Sequence, residues 1–211
     1  MNLKETTAIQ HIKRYEPIYI FMMILFIIGL FFGVIIVNNL SHAQDEDIFS
    51  LLNQFFSQLN GSFSLNEKQL FQQRLYSHLI FLSILFLFGC MMIGIPFIWL
   101  IIFLKGLILG FSVGVVIKQF QTEGLYIILT SILPQNIIII PIYIVAGAMS
   151  MMFSLQLMYK LRGHALSLRR ILKKYIFIYC VCCIFLLLAV LIETYLSTFL
   201  LQKVLNVIIT N

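Results

Sequence analysis

The chain has 211 residues, of which 61% are hydrophobic and 10% charged, with a mean hydropathy of +1.02. A soluble globular domain carries about 25% charged residues, so this composition excludes a wholly water-exposed surface and an ordinary soluble enzyme. The net charge of +6 does not point to nucleic acid: six of the fourteen Lys and Arg (Lys160, Arg162, Arg169, Arg170, Lys173 and Lys174) share one short stretch with no aromatic residues to stack bases.

The first apolar run, Ile18–Val37, is twenty residues long. A signal peptide has an apolar region of about 7–15 residues, so an uncleaved membrane span is expected, even though Ser41-His42-Ala43 loosely resembles a cleavage site. Pro17 sits at the expected start of this helix, where its missing N–H costs nothing. The segment 38–74 is polar and carries Asp45, Glu46 and Asp47. Behind these acids, Ile48, Leu51, Leu52, Phe55, Phe56 and Leu59 recur at helical spacing up to Gly61, which predicts an amphipathic helix between the first and second spans. Ser64 and Glu67 then form a capping box for a helix that runs into the second span. The amphipathic helix either lies on the lipid surface or presents Asp47, Phe49, Leu52, Phe55 and Phe56 to a partner, and amphipathicity alone does not separate the two.

Two spans, 75–93 and 96–117, follow if the chain turns at Gly94-Ile95-Pro96, because Gly closes helices and Pro opens them. This turn places Lys105 about half way across the bilayer. A turn at Lys105-Gly106 would keep the charge at the surface but leave only eleven residues before Lys118. The stretch 125–159 has no charged residue and exceeds one ordinary span. It is read as a short or re-entrant helix over 125–133, a broken-helix element at Pro134, Gln135, Asn136 and Pro141, and a fourth span over 136–158. A basic loop, 159–174, a fifth span, 175–196, and a short amphipathic tail complete the chain. The expected fold is an all-α integral membrane protein with five transmembrane helices. Lys and Arg gather in cytoplasmic loops, so the N-terminus and the loop 159–174 are expected inside, and the segment 38–74 and the C-terminus outside.

Gly106, Gly110 and Gly114 form a repeated small-xxx-small pattern, which Gly29 and Gly33 echo in the first span. Such glycines let helix backbones approach closely in lipid, either inside one subunit or across a homo-oligomer seam. Gly110-Phe-Ser112-Val-Gly114 also matches the G-x-S-x-G pattern of serine hydrolases. That motif needs a strand–turn–helix elbow with His and acid partners, whereas this Ser falls within an expected span. Cys90, Cys180, Cys182 and Cys183 all lie in apolar runs, where free Cys packs as a small hydrophobe. No disulfide framework, metal or cofactor is therefore expected. Two ionisable residues, Lys105 and Glu193, fall within or near the expected membrane core, where such groups are expensive and default to functional hypotheses. Lys105 either snorkels to the surface or pairs inside the bundle, and Glu193 is close enough to its helix end to be interfacial.

The sequence resembles the stage II sporulation protein M family of endospore-forming bacteria. The resemblance rests on Gly33-Val-Ile-Ile-Val37-Asn38-Asn39, on Asp47-Ile-Phe-Ser-Leu-Leu-Asn-Gln-Phe-Phe56, on Leu109-Gly110 with its glycine neighbours, and on Leu133-Pro134-Gln135-Asn136 leading to Pro141. The broader family often carries a His-Gly pair after the first of these prolines and a Glu before the second. Gln135, Asn136 and Ile139 stand there in this chain, so proton or metal chemistry is not carried over. The resemblance implies a non-catalytic scaffold that localises the peptidoglycan-cleaving sporulation proteins D and P from the mother-cell side of the septum during engulfment. The rival expectation is a permease or transporter membrane subunit, because broken helices line substrate sites in such proteins. The expected partners are those hydrolases and membrane lipid, with a homo-oligomer as one reading of the glycines and no nucleic acid.

Overall fold

The computed structural model describes residues 3–41, 44–48, 50–51, 67–91, 93–161 and 168–197. Every regular element among them is helical: α1 (Leu3–Asn38), α2 (Glu67–Cys90), α3 (Ile95–Ile127), α4 (Leu133–Leu161) and α5 (Leu168–Leu191). Two π-helical segments, Ile128–Ile132 and Ile192–Ser197, precede α4 and extend α5. Five stretches are long and apolar enough to cross a membrane: Tyr15–Asn38, Lys68–Cys90, Ile95–Thr122, Leu133–Leu161 and Arg169–Thr194. The protein is thus an all-α membrane protein with five candidate spans. Tyr15, Met91, Gly94, Lys160 and Arg170 lie at the ends of spans that share one end of the bundle, here called the basic end. Asn38, Gln121, Gln135 and Glu193 lie toward the far end.

α1 begins fourteen residues before Pro17, which is therefore interior to the helix rather than at its start. Proline removes one backbone donor and leaves the carbonyl of Lys13 without its usual partner. That carbonyl precedes the apolar run in sequence, where water can still solvate it. The turn between α2 and α3 is short. Met91 N–H donates to Phe88 O, Gly94 N–H to Met91 O and Ile98 N–H to Gly94 O, and Pro96 occupies the first turn of α3. A Cβ on Gly94 would strike the Phe88 carbonyl, so glycine is required by close approach. Helix α3 passes unbroken through Lys105 and Gly106 and breaks at Gln121, the only non-glycine residue with positive φ (46°) among those described. Residues 122–132 then turn back on α3, where Ile127 and Ile128 bury against Val116 with Val113, Phe120 and Ile132 around them. Residues 125–133 thus lead into α4 through a π-helical turn with no intervening break.

α4 is the central helix, with 67% of its span buried against 22–39% for the other four. Its small residues Ala146, Gly147, Ala148, Ser150 and Ser154 admit Met22 and Phe26 of α1, Leu82 and Leu85 of α2, Ile98 and Ile102 of α3, and Tyr175, Tyr179 and Leu186 of α5 to one core. The outward faces carry Phe31, Leu87 and Phe177, each more than half exposed, which is the pattern expected of surfaces solvated by lipid. Because lipid is as apolar as leucine, contacts inside this bundle must gain from close packing and buried hydrogen bonds rather than from water exclusion.

Both devices are present. The glycines of α1 and α3 face one another: a Cβ on Gly29 would meet the Phe103 carbonyl, on Gly33 that of Leu107, on Gly106 that of Phe26 and on Gly110 that of Leu30. A Cβ on Gly114 would be less crowded, 3.2 Å from the Val37 side chain and 3.4 Å from Val34 Cα. The second device is a polar knot nearer the basic end. Ser150 Oγ donates to one of two carbonyls, Leu85 (3.0 Å) or Ala146 (2.9 Å), and also shares hydrogen bonds with the Tyr175 and Tyr179 hydroxyls. Tyr175 stacks between Phe86 and Phe153, at centroid distances of 4.9 and 4.4 Å.

Candidate functional site

One cluster of charged and polar side chains meets inside the bundle toward its far end. Arg74 and His78 are four residues apart on α2 and so share one helix face. Glu193 lies in the π-helical extension of α5, and Gln135 in the first turn of α4, just after the other π-helical segment. The two π-helical segments pack on each other, so both of the wide turns border the cluster. π-Helical turns are rare and occur frequently at functional sites.

Glu193 is the hub. One carboxylate oxygen lies 3.7 Å from Arg74 Nε and 3.5 Å from Gln135 Nε2, and the other 3.1 Å from His78 Nε2. Arg74 also donates to the backbone carbonyl of Glu193. The Glu193 and His78 side chains are 13% and 12% exposed and Arg74 28%, so these contacts are screened less than those of a surface pair. An ionised carboxylate only accepts, which places the His78 proton on Nε2. In the neutral imidazole, Nδ1 then accepts from the Tyr143 hydroxyl at 2.7 Å. A chain of contacts Tyr143–His78–Glu193–Arg74 results, linking α4, α2 and α5.

Lys105 extends this group toward the middle of the bundle. Its ammonium lies 4.8 Å from the Tyr143 ring centroid and 5.1 Å from that of Phe81. Cation–π contacts of this kind are worth about 2 kcal/mol when desolvated. Lys105→Met keeps the stem volume and exchanges this attraction for sulfur–aromatic contact. It is expected to leave the bundle folded with stability changed by no more than about 2 kcal/mol, as measured by thermal unfolding in detergent. A variant that fails to fold overturns that expectation. Two buried polar atoms beside the cluster, Gln135 Oε1 and Thr194 Oγ1, have no hydrogen-bond partner among the described residues.

The other residues singled out by sequence are placed as follows. Asn136 donates to the Ile132 carbonyl at 2.6 Å, satisfying the π-helical turn, while Pro134 and Pro141 lie within the α4 helix. Ser112 donates to the Ile108 carbonyl of its own helix, an ordinary helical contact. Asp47 is exposed on the helical stretch 44–48, whereas Phe49, Leu52, Phe55 and Phe56 lie outside the described residues. That stretch is tied to the α1–α3 seam by Lys118, whose ammonium pairs with Asp45 and donates to the Val37 carbonyl at 3.1 Å. Among the described residues, no three His, Cys, Asp or Glu come together as metal ligands. Sequence reasoning missed the convergence on Glu193. The available signal was the i, i+4 pair Arg74 and His78 on a face that enters the membrane.

Residues 22–198 match the family described as stage II sporulation protein M, which covers most of the chain. The chain belongs to that family. Membership in the stage II sporulation protein M family makes it a sporulation-related membrane protein. The matched region holds both the glycine seam and every residue of the polar cluster. No curated protein and no solved structure matches the chain.

Proposed function

We propose that the protein is a non-catalytic membrane scaffold of engulfment, which holds peptidoglycan hydrolases of the sporulation D and P type at the septal membrane. Family membership carries this reading. The clustering of basic residues in 159–174 supports a cytoplasmic N-terminus and an extracytoplasmic segment 38–74 on the mother-cell side. In that arrangement the glycine seam and the Asp45–Lys118 pair give the segment after α1 a fixed base from which to meet wall enzymes. Deleting residues 45–60 from a tagged chain is expected to abolish co-purification of both hydrolases from sporulating membranes while the chain stays inserted. Normal hydrolase recovery with the deletion would sink the docking role of that segment.

One observation favours a second reading, a permease or transporter subunit: charged residues and two π-helical turns meet inside the bundle. Recovery of an ATPase subunit in place of the hydrolases, in the same purification, would select it.

A further inference from the structure

A groove between α4 and α5, on the side of α5 away from α2, encloses about 500 Å³. Ile142 and Cys182 are buried in its lining, and Ile137, Phe177 and Phe185 form an exposed rim. It runs along α5 from Phe177 to Phe185, about 12 Å at the helical rise. Nothing polar lines it, so an occupant along this stretch must itself be apolar.

The charges beyond one end of the groove identify the occupant further. On α5 the lining residues Phe177, Val181 and Phe185 repeat every four positions with Ile178 beside them, and the same stripe continues backward through Lys174 to Arg170. Both side chains are exposed at the basic end, one and two turns beyond the groove. From residue 160 to residue 192 the sequence has no acidic residue to neutralise them. An apolar slot whose own helix face ends in two cations with no acid on their helix fits a molecule with a long hydrocarbon tail and a negative head.

The geometry points to a binding site for one anionic diacyl phospholipid, with an acyl chain in the α4–α5 groove and its phosphate on Arg170 and Lys174. This site goes beyond the scaffold role and does not depend on it. Bound there, the lipid couples the basic end of α5 to α4, and the composition of the leaflet at that end then tunes the stability of the central helix pair.

The full-length chain, purified in detergent, is titrated with phosphatidylglycerol or phosphatidylcholine and followed by native mass spectrometry and thermal unfolding. Phosphatidylglycerol is expected to bind one per chain and raise Tm more than phosphatidylcholine does. Arg170→Gln with Lys174→Gln is expected to weaken phosphatidylglycerol binding about tenfold or more, at roughly 1 kcal/mol per basic residue, while phosphatidylcholine binding is unchanged. Val181→Trp, which fills the groove without touching the charges, is expected to weaken phosphatidylglycerol too; helical circular dichroism of both variants verifies that they fold. Equal binding of the two lipids, or a charge variant that binds phosphatidylglycerol as tightly as the parent, overturns the site. So does glycerol phosphate competing as well as the intact lipid, or a photo-crosslinker at position 181 that captures a protein helix from native membranes instead of lipid.

Discussion

Gly110→Val is expected to separate α1 from α3 and to cost about 3 kcal/mol or more, the upper range for overpacking a close-packed contact. The obstacle is backbone rather than side chain. A Cβ at this position would lie within 3.0 Å of Leu30 main-chain atoms, which cannot swing aside, and Gly33 faces Leu107 and Gly110 in the same way from the opposite helix. Gly114→Ala makes the comparison within the same seam. There the atoms nearest an added methyl would be Val37 Cβ and Cγ2 at 3.2 Å and Val34 Cα at an ordinary 3.4 Å, so a shift of a few tenths of an ångström relieves the contact. A graded series follows, with Gly110→Val worse than Gly110→Ala and Gly114→Ala nearly neutral, read by thermal unfolding in detergent and by cysteine cross-linking between α1 and α3. Equal tolerance of Gly110→Val and Gly114→Ala would show that the two backbones do not touch as described. The glycine faces of α1 and α3 cover each other, so another subunit using those same faces would first have to displace one of the two helices.

Glu193→Leu carries the second large effect. It removes the side-chain acceptor of His78 and Gln135 and the counter-charge of Arg74, whose half-buried guanidinium keeps only its hydrogen bond to the main-chain carbonyl of residue 193. Breaking one partner of a buried pair costs about 3–5 kcal/mol; Arg74 is partly exposed, so about 2–3 kcal/mol is expected here. Replacing Arg74 as well, with Met, removes the orphaned cation and is expected to recover part of the loss. The interaction term in that double-mutant cycle is the informative quantity. Strict additivity of Arg74→Met and Glu193→Leu would mean that the two residues do not act as a pair.

Composition and span length alone established a five-span helical membrane protein, because a chain with so few charges has no soluble alternative and each crossing needs about 20 apolar residues. The turn at Gly94-Ile95-Pro96 was legible too, since its Gly and Pro have local backbone reasons to stand there. The glycine repeats announced a close helix contact, but a repeat on one helix does not say which neighbour fills it. The reciprocal meeting of Phe26 and Leu30 carbonyls with Gly106 and Gly110 is a property of two helices side by side. Pro17 misled because local propensity marks where a helix can start, and an interfacial carbonyl that water can reach lets one continue. The polar cluster was the least legible feature. Arg74, His78, Tyr143 and Glu193 are up to 119 positions apart, and each taken singly resembles a residue at a membrane edge. Only the tertiary structure decided that Arg74 and His78 share the Glu193 carboxylate and that Tyr143 joins them through His78, because the helix packing brings those faces together and the π-helical turns set Glu193 and Gln135 beside each other. What the sequence by itself determined was therefore the membrane character and the number of spans, both local consequences of lipid as solvent. Which residues become partners was decided by the packing of α4 at the centre, through contacts that no single helix contains.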